Sequence, residues 1–188
     1  LPDSVGYVAG SSYVDVPYTA GSLQVLDQFS SAAYNNNDGT ENWSGNWIED
    51  DEDGGGAGPG SGRLSITGGE LAMTNSINYD NANDPSLARE VDLSGYASAT
   101  LTFDYRTGGI LEPEDLAVVE ISDNGGASYT ILASYYDTVS GSFSQNISSY
   151  MSANTRVRFR LADYYGGGGE YFYVDDVEIQ ATAPGDGA

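Results

Sequence analysis

The chain contains no cysteine, no histidine and no lysine. Each absence removes a class of chemistry. Without cysteine there are no disulfides, so core packing, sheet ladders and bound ions must hold the fold. Without histidine or cysteine there is no Ser-His-Asp or Cys-His nucleophile and no zinc site built on those ligands. Without lysine there is no Schiff base and no phosphate-loop lysine. Positive charge is scarce too: six arginines stand against 28 acidic residues, a formal net charge of -22. That balance disfavours nucleic acid and anionic membranes as partners and favours bound cations. No apolar run approaches the roughly 18–20 residues needed to span a membrane as a helix, and no stretch carries helical periodicity of useful length. The chain begins at Leu1 without a charged-then-apolar leader. A mature secreted or cell-surface protein, or a piece cut from one, is the expectation.

What is present is the vocabulary of a β-protein: fifteen tyrosines and many Ser, Thr, Asn and Gly. Short alternating runs recur between turn signals. They are Leu23–Ser30, a start at Trp47–Glu49, Arg63–Thr67 and Glu70–Thr74 around Gly68-Gly69, Leu87–Leu93, Ala99–Arg106, Leu116–Ser122, Ser128–Ala133, Arg156–Asp163 and Tyr171–Gln180, while Phe143–Ile147 is short and polar. In 156–163, Val157, Phe159 and Leu161 share one face and Arg156, Arg158 and Arg160 the other; the arginines are expected to salt-bridge neighbouring acids. About ten short strands predict an all-β, antiparallel two-sheet β-sandwich. Jelly-roll topology is preferred to an immunoglobulin one, for which the Cys-Trp-Cys spacing is missing.

Residues 27–53 stand out. Asn35-Asn36-Asn37-Asp38-Gly39 is a turn cluster, both tryptophans follow at Trp43 and Trp47, and Glu49 to Asp53 is an unbroken acidic run. Large rings beside dense oxygen donors suit a hard cation such as Ca2+, or a ring offered to a sugar or a neighbouring chain. EF-hand spacing is absent. Catalysis would need paired carboxylates as in glycosidases; with 28 acids such pairs arise by chance, so no catalytic residue is assigned and enzyme activity is not expected.

Asp27-x-Phe29 with NNNDGTENWSGNW, REVDLSG (89–95), ATLTFDYR (99–106), LEPED (111–115), VEISDNGG (119–126), NTRVRFRLAD (154–163) and FYVDDVEI (172–179) occur in order. The pattern resembles a MAM-like jelly-roll module of large bacterial surface and adhesin-type proteins. MAM-like domains typically carry cysteines, which this chain lacks. The resemblance covers about residues 25–180, between an extension at 1–24 and a tail at 181–188. It implies a two-sheet jelly roll, often with structural Ca2+, in an adhesive, carbohydrate-binding or spacer role. In such jelly rolls an ion ties the first strand to the last. Mapped here, its ligands would be Asp27, Asn37, Asp38 and Glu49, completed by Asp175 or Asp176. In strict alternation Val174 and Asp176 share one face of the last strand, and Tyr173, Asp175 and Val177 the other, so one of the two aspartates faces inward.

The expected function is a non-catalytic extracellular structural or adhesive sandwich that associates with itself or with neighbouring surface domains. It could assemble into filaments through an N-terminal strand carrying Tyr13, Val14 and Val16, ended by Pro17. The alternative is a carbohydrate-binding module that stacks a glycan on Trp43 or Trp47, although in a sandwich of this size those rings are also core fillers.

Overall fold

A computed structural model describes residues 21–51, 58–74, 84–109, 112–163 and 169–185. Tyr13, Val14 and Val16 lie outside these residues. Eleven strands occur among them: β1 (Leu23–Asp27), β2 (Ile48–Asp50), β3 (Leu64–Thr67), β4 (Glu70–Met73), β5 (Ser86–Val91), β6 (Ser98–Gly108), β7 (Leu116–Ser122), β8 (Thr130–Tyr136), β9 (Ser140–Asn146), β10 (Thr155–Asp163) and β11 (Tyr171–Thr182). A single 3-10 turn covers Ser148–Tyr150.

The strands form two antiparallel sheets. The larger has the order β3-β4-β11-β6-β9, with β1 also paired to β11; the smaller runs β2-β5-β10-β7-β8. β11 is flanked by β6 along nearly its whole length. On its other edge β4 pairs with residues 172–174 and β1 with 177–181, end to end. The chain changes sheet repeatedly, from β1 to β2, β2 to β3, β4 to β5, β5 to β6, β6 to β7, β8 to β9, β9 to β10 and β10 to β11. This is a jelly-roll sandwich.

Alternation explains the core. Val157, Phe159 and Leu161 of β10 are buried, and so are Leu101 and Phe103 of β6 and Phe172, Val174, Val177 and Ile179 of β11. Aromatic rings link the layers: Trp47 to Phe159 at 6.2 Å between centroids, Phe159 to Phe103 at 5.1 Å, and Phe103 to Phe143 at 4.7 Å. The outward arginines of β10 are paired as expected, Arg156 with Glu90, Arg158 with Glu120, and Arg160 with both Glu120 and Asp84.

One expectation needs correction. The β11–β6 register shifts between Asp175 and Glu178, and Asp176 adopts a left-handed backbone with φ 49°. This bulge restores Val177 to the core side and leaves both Asp175 and Asp176 partly exposed. Neither aspartate is driven inward by the alternation.

Candidate functional site

The outer face of the larger sheet is where polar chemistry gathers. Phe172 is buried, so its neighbours Tyr171 and Tyr173 stand on the opposite, outward side. Their rings stack with centroids 5.5 Å apart. β6 supplies the next row. The Arg106 guanidinium lies 3.6 Å over the centre of the Tyr173 ring and forms a bidentate pair with Glu70 of β4. Gly108 makes room for this stack, since a Cβ there would lie 2.9 Å from the Tyr173 ring. Asp104 follows on β6 and accepts a hydrogen bond from Ser142 of β9 at 2.5 Å.

Two adjoining hollows of about 380 Å³ each open on this part of the sheet and share Asp104 and Ser142. One adds Glu70, Arg106, Ser140 and Asp175; the other adds Thr102, Ser144, Asp176 and Glu178. Five of the lining residues carry carboxylates. Partial burial pushes the Asp175 carboxyl up to about 6, helped by the negative charges of Asp176, Glu70 and Asp104. The strip thus offers acceptors, hydroxyls, a clamped guanidinium and two phenol rings along one face.

The sequence-predicted residues occupy other places. Asp27 is fully buried at the end of β1, and both of its oxygens are engaged. Oδ1 accepts from the Phe29 amide at 2.9 Å, and Oδ2 accepts from Trp47 Nε1 and from Arg89, each at 2.8 Å. Arg89 projects inward from β5 and is 1% exposed, so this ion pair joins the two sheets through the core. Burial pushes the Asp27 carboxyl up and the Arg89 guanidinium down to about 10, while their attraction opposes both shifts.

The guanidinium lies against both Trp43 and Trp47, at 5.0 and 5.6 Å from their ring centres. They are 5% and 3% exposed. The expectation that they stack on a sugar is corrected: their rings cover a buried cation and fill the core.

The remaining expected ligands are dispersed. Asn37 Oδ1 accepts from the Trp43 amide, and Asp38 Oδ2 from the Gln28 amide. Glu49 Oε2 accepts from the Tyr34 hydroxyl and the Gly58 amide, and burial pushes its carboxyl up. Asp175 and Asp176 sit at the β11 bulge, where Asp176 accepts from Gln28 Nε2. The donor set does not fit a Ca2+ ion tying the first strand to the last, because Asp27 is fully buried, both of its oxygens already accept hydrogen bonds, and Arg89 supplies its counter-charge. The outer-face residues Tyr171, Tyr173, Arg106 and Asp104 were not singled out from the sequence. The available signal was the Tyr-Phe-Tyr alternation on one strand and Asp104-x-Arg106 on another.

No family model matches the chain, and no curated protein matches it. Solved structures do. A family 29 carbohydrate-binding module overlays with a TM-score of 0.44 at 11% identity, covering 76% of this chain and 92% of that one. A cleaved adhesin domain of Lys-gingipain from Porphyromonas gingivalis gives 0.47 at 19%, covering 71% and 90%. A family 4 carbohydrate-binding module gives 0.45 at 16%, covering 73% and 87%. Among the described residues, no helix is long and apolar enough to cross a membrane.

Proposed function

We propose that the protein is a non-catalytic extracellular surface module that binds a neutral saccharide on the outer face of its larger sheet. The observation that carries this reading is the continuous strip from Tyr171 and Tyr173, through Arg106 and Asp104, to Ser142 and the paired hollows beside it. Aromatic rings suit the C–H faces of a pyranose, and carboxylates and hydroxyls suit its hydroxyl groups. Five acids and one arginine line the hollows, so sulfated or uronic glycans would meet repulsion.

Calorimetric titration with neutral oligosaccharides tests the reading. Tyr171→Ala and Asp104→Ala should each weaken binding about tenfold, near 1.4 kcal/mol, with an unchanged melting temperature. Binding that neither substitution weakens, or no binding across a panel of neutral glycans, would sink it.

A second reading rests on β8. This seven-residue strand ends the smaller sheet, is paired only to β7 among the described residues, and exposes Ile131 and Tyr136. Such an edge accepts an added strand. The proposed occupant is the segment containing Tyr13, Val14 and Val16 from a second copy. Deleting residues 1–20 should abolish concentration-dependent association in sedimentation velocity; association that survives the deletion rejects this reading.

A further inference from the structure

The connection from β6 to β7 carries the chain from the larger sheet to the smaller, and the connection from β10 to β11 brings it back. Their described residues meet at Gly109 and Gly169. A Cβ on Gly109 would lie 2.9 Å from the Gly169 carbonyl carbon and 3.0 Å from Glu170 Cα. Three acids converge beside this contact: Glu112 and Asp115 from the first connection and Glu170 from the second. One carboxylate oxygen from each lies within 4.8 Å of the others, and no other set of three acidic residues does so among those described.

Like charges gathered this closely repel, and here they are also withdrawn from water. Asp115 is 1% exposed and Glu170 is 7% exposed. Asp115 Oδ2 accepts from the Glu112 amide at 2.8 Å, but Oδ1 is buried with no hydrogen-bond partner. An unmatched buried carboxylate oxygen is costly. Burial pushes the Asp115 carboxyl up to about 6, and the charges acting on it, those of Glu170 and Glu112, are both negative. The chain's own cations are engaged elsewhere. Arg63 faces Asp51, Arg89 Asp27, Arg106 Glu70, Arg156 Glu90, and Arg158 and Arg160 Glu120.

We propose that Glu112, Asp115 and Glu170 hold a hard divalent cation, of the Ca2+ type, which clips the two sheet crossovers together. Ca2+ takes oxygens at about 2.3–2.6 Å, so two ligands on one ion lie up to about 5 Å apart, which matches the spacing of the cluster. Nearby backbone carbonyls and water would complete its six to eight ligands. Glu112 is exposed and leaves a path for the ion. This site is separate from the one implied for Asp27 and Asp175, and it does not depend on saccharide binding.

The test uses the full chain stripped with chelator and titrated with CaCl2 alone, followed by calorimetry and thermal unfolding. One saturable site is expected, with a rise in melting temperature of about 5 °C or more at saturating ion. Glu112→Gln, an exposed change that leaves packing intact, and Asp115→Asn should each lower Ca2+ affinity at least tenfold. Asp176→Asn should leave it unchanged. The proposal is overturned if Ca2+ does not raise the melting temperature saturably, or if Glu112→Gln retains wild-type affinity.

Discussion

Asp27 and Arg89 carry opposite charges into the centre of the molecule, where each needs the other. Arg89 also donates to the Gly45 carbonyl and lies against both tryptophans. A buried pair of this kind contributes little over a well-packed apolar pair, but removing one partner strands the other. Arg89→Leu should therefore lower the unfolding free energy by about 3–5 kcal/mol in urea denaturation, and adding Asp27→Asn should recover part of the loss. A cost below about 1 kcal/mol for Arg89→Leu would show that Asp27 does not depend on it. The signal for this pair was in the sequence: Leu87, Arg89, Val91 and Leu93 are spaced by two, which assigns Arg89 to the apolar face. The acid run after Trp47 points to metal chemistry instead, because a carboxylate is the same in sequence whether it meets an ion, a guanidinium or water.

At the level of strands and turns, most of the fold was legible. Alternation located ten of the eleven described strands to within a few residues; β9 falls where the sequence offers only the short polar stretch Phe143–Ile147. Gly68-Gly69 and Asp123–Gly126 sit in the turns of their hairpins, with positive φ at all four glycines. Long alternating runs such as β10 were read most easily because each inward residue has an apolar partner across the sandwich. Three features escaped. The β11 bulge inserts one residue, which no periodic pattern reveals, and it turns an expected inward aspartate outward. Gly39 was read as a permissive turn residue, but its role is close approach. A Cβ there would lie 2.8 Å from the Leu26 amide nitrogen, while the Asp38 and Glu41 amides donate to Leu26 and Gln24 of β1. The Asn/Asp/Gly cluster is thereby a cover over the free edge of β1. The outer-face strip escaped for another reason. It is assembled from β4, β6, β9 and β11, whose order in the sheet is not their order in the chain.

For the molecule as a whole, the charge pattern and the architecture fit together. All six arginines pair with acids, which leaves a surface of excess carboxylates whose mutual repulsion opposes compactness. The larger sheet answers this by organising itself around one buried-on-one-side strand, β11, which touches β1, β4 and β6 at once. β11 is also the last in chain order of the eleven described strands. Synthesis therefore delivers the keystone after every stone that leans on it. Until residues through Thr182 have left the ribosome, β1 and β4 have no neighbour on their β11 side and β6 lacks one of its two. Stalled nascent chains of increasing length should remain protease-sensitive through β10 and become resistant abruptly once β11 has emerged. Gradual protection, strand by strand, would contradict this. A domain that cannot close before its final strand arrives stays threadable for the whole of its synthesis.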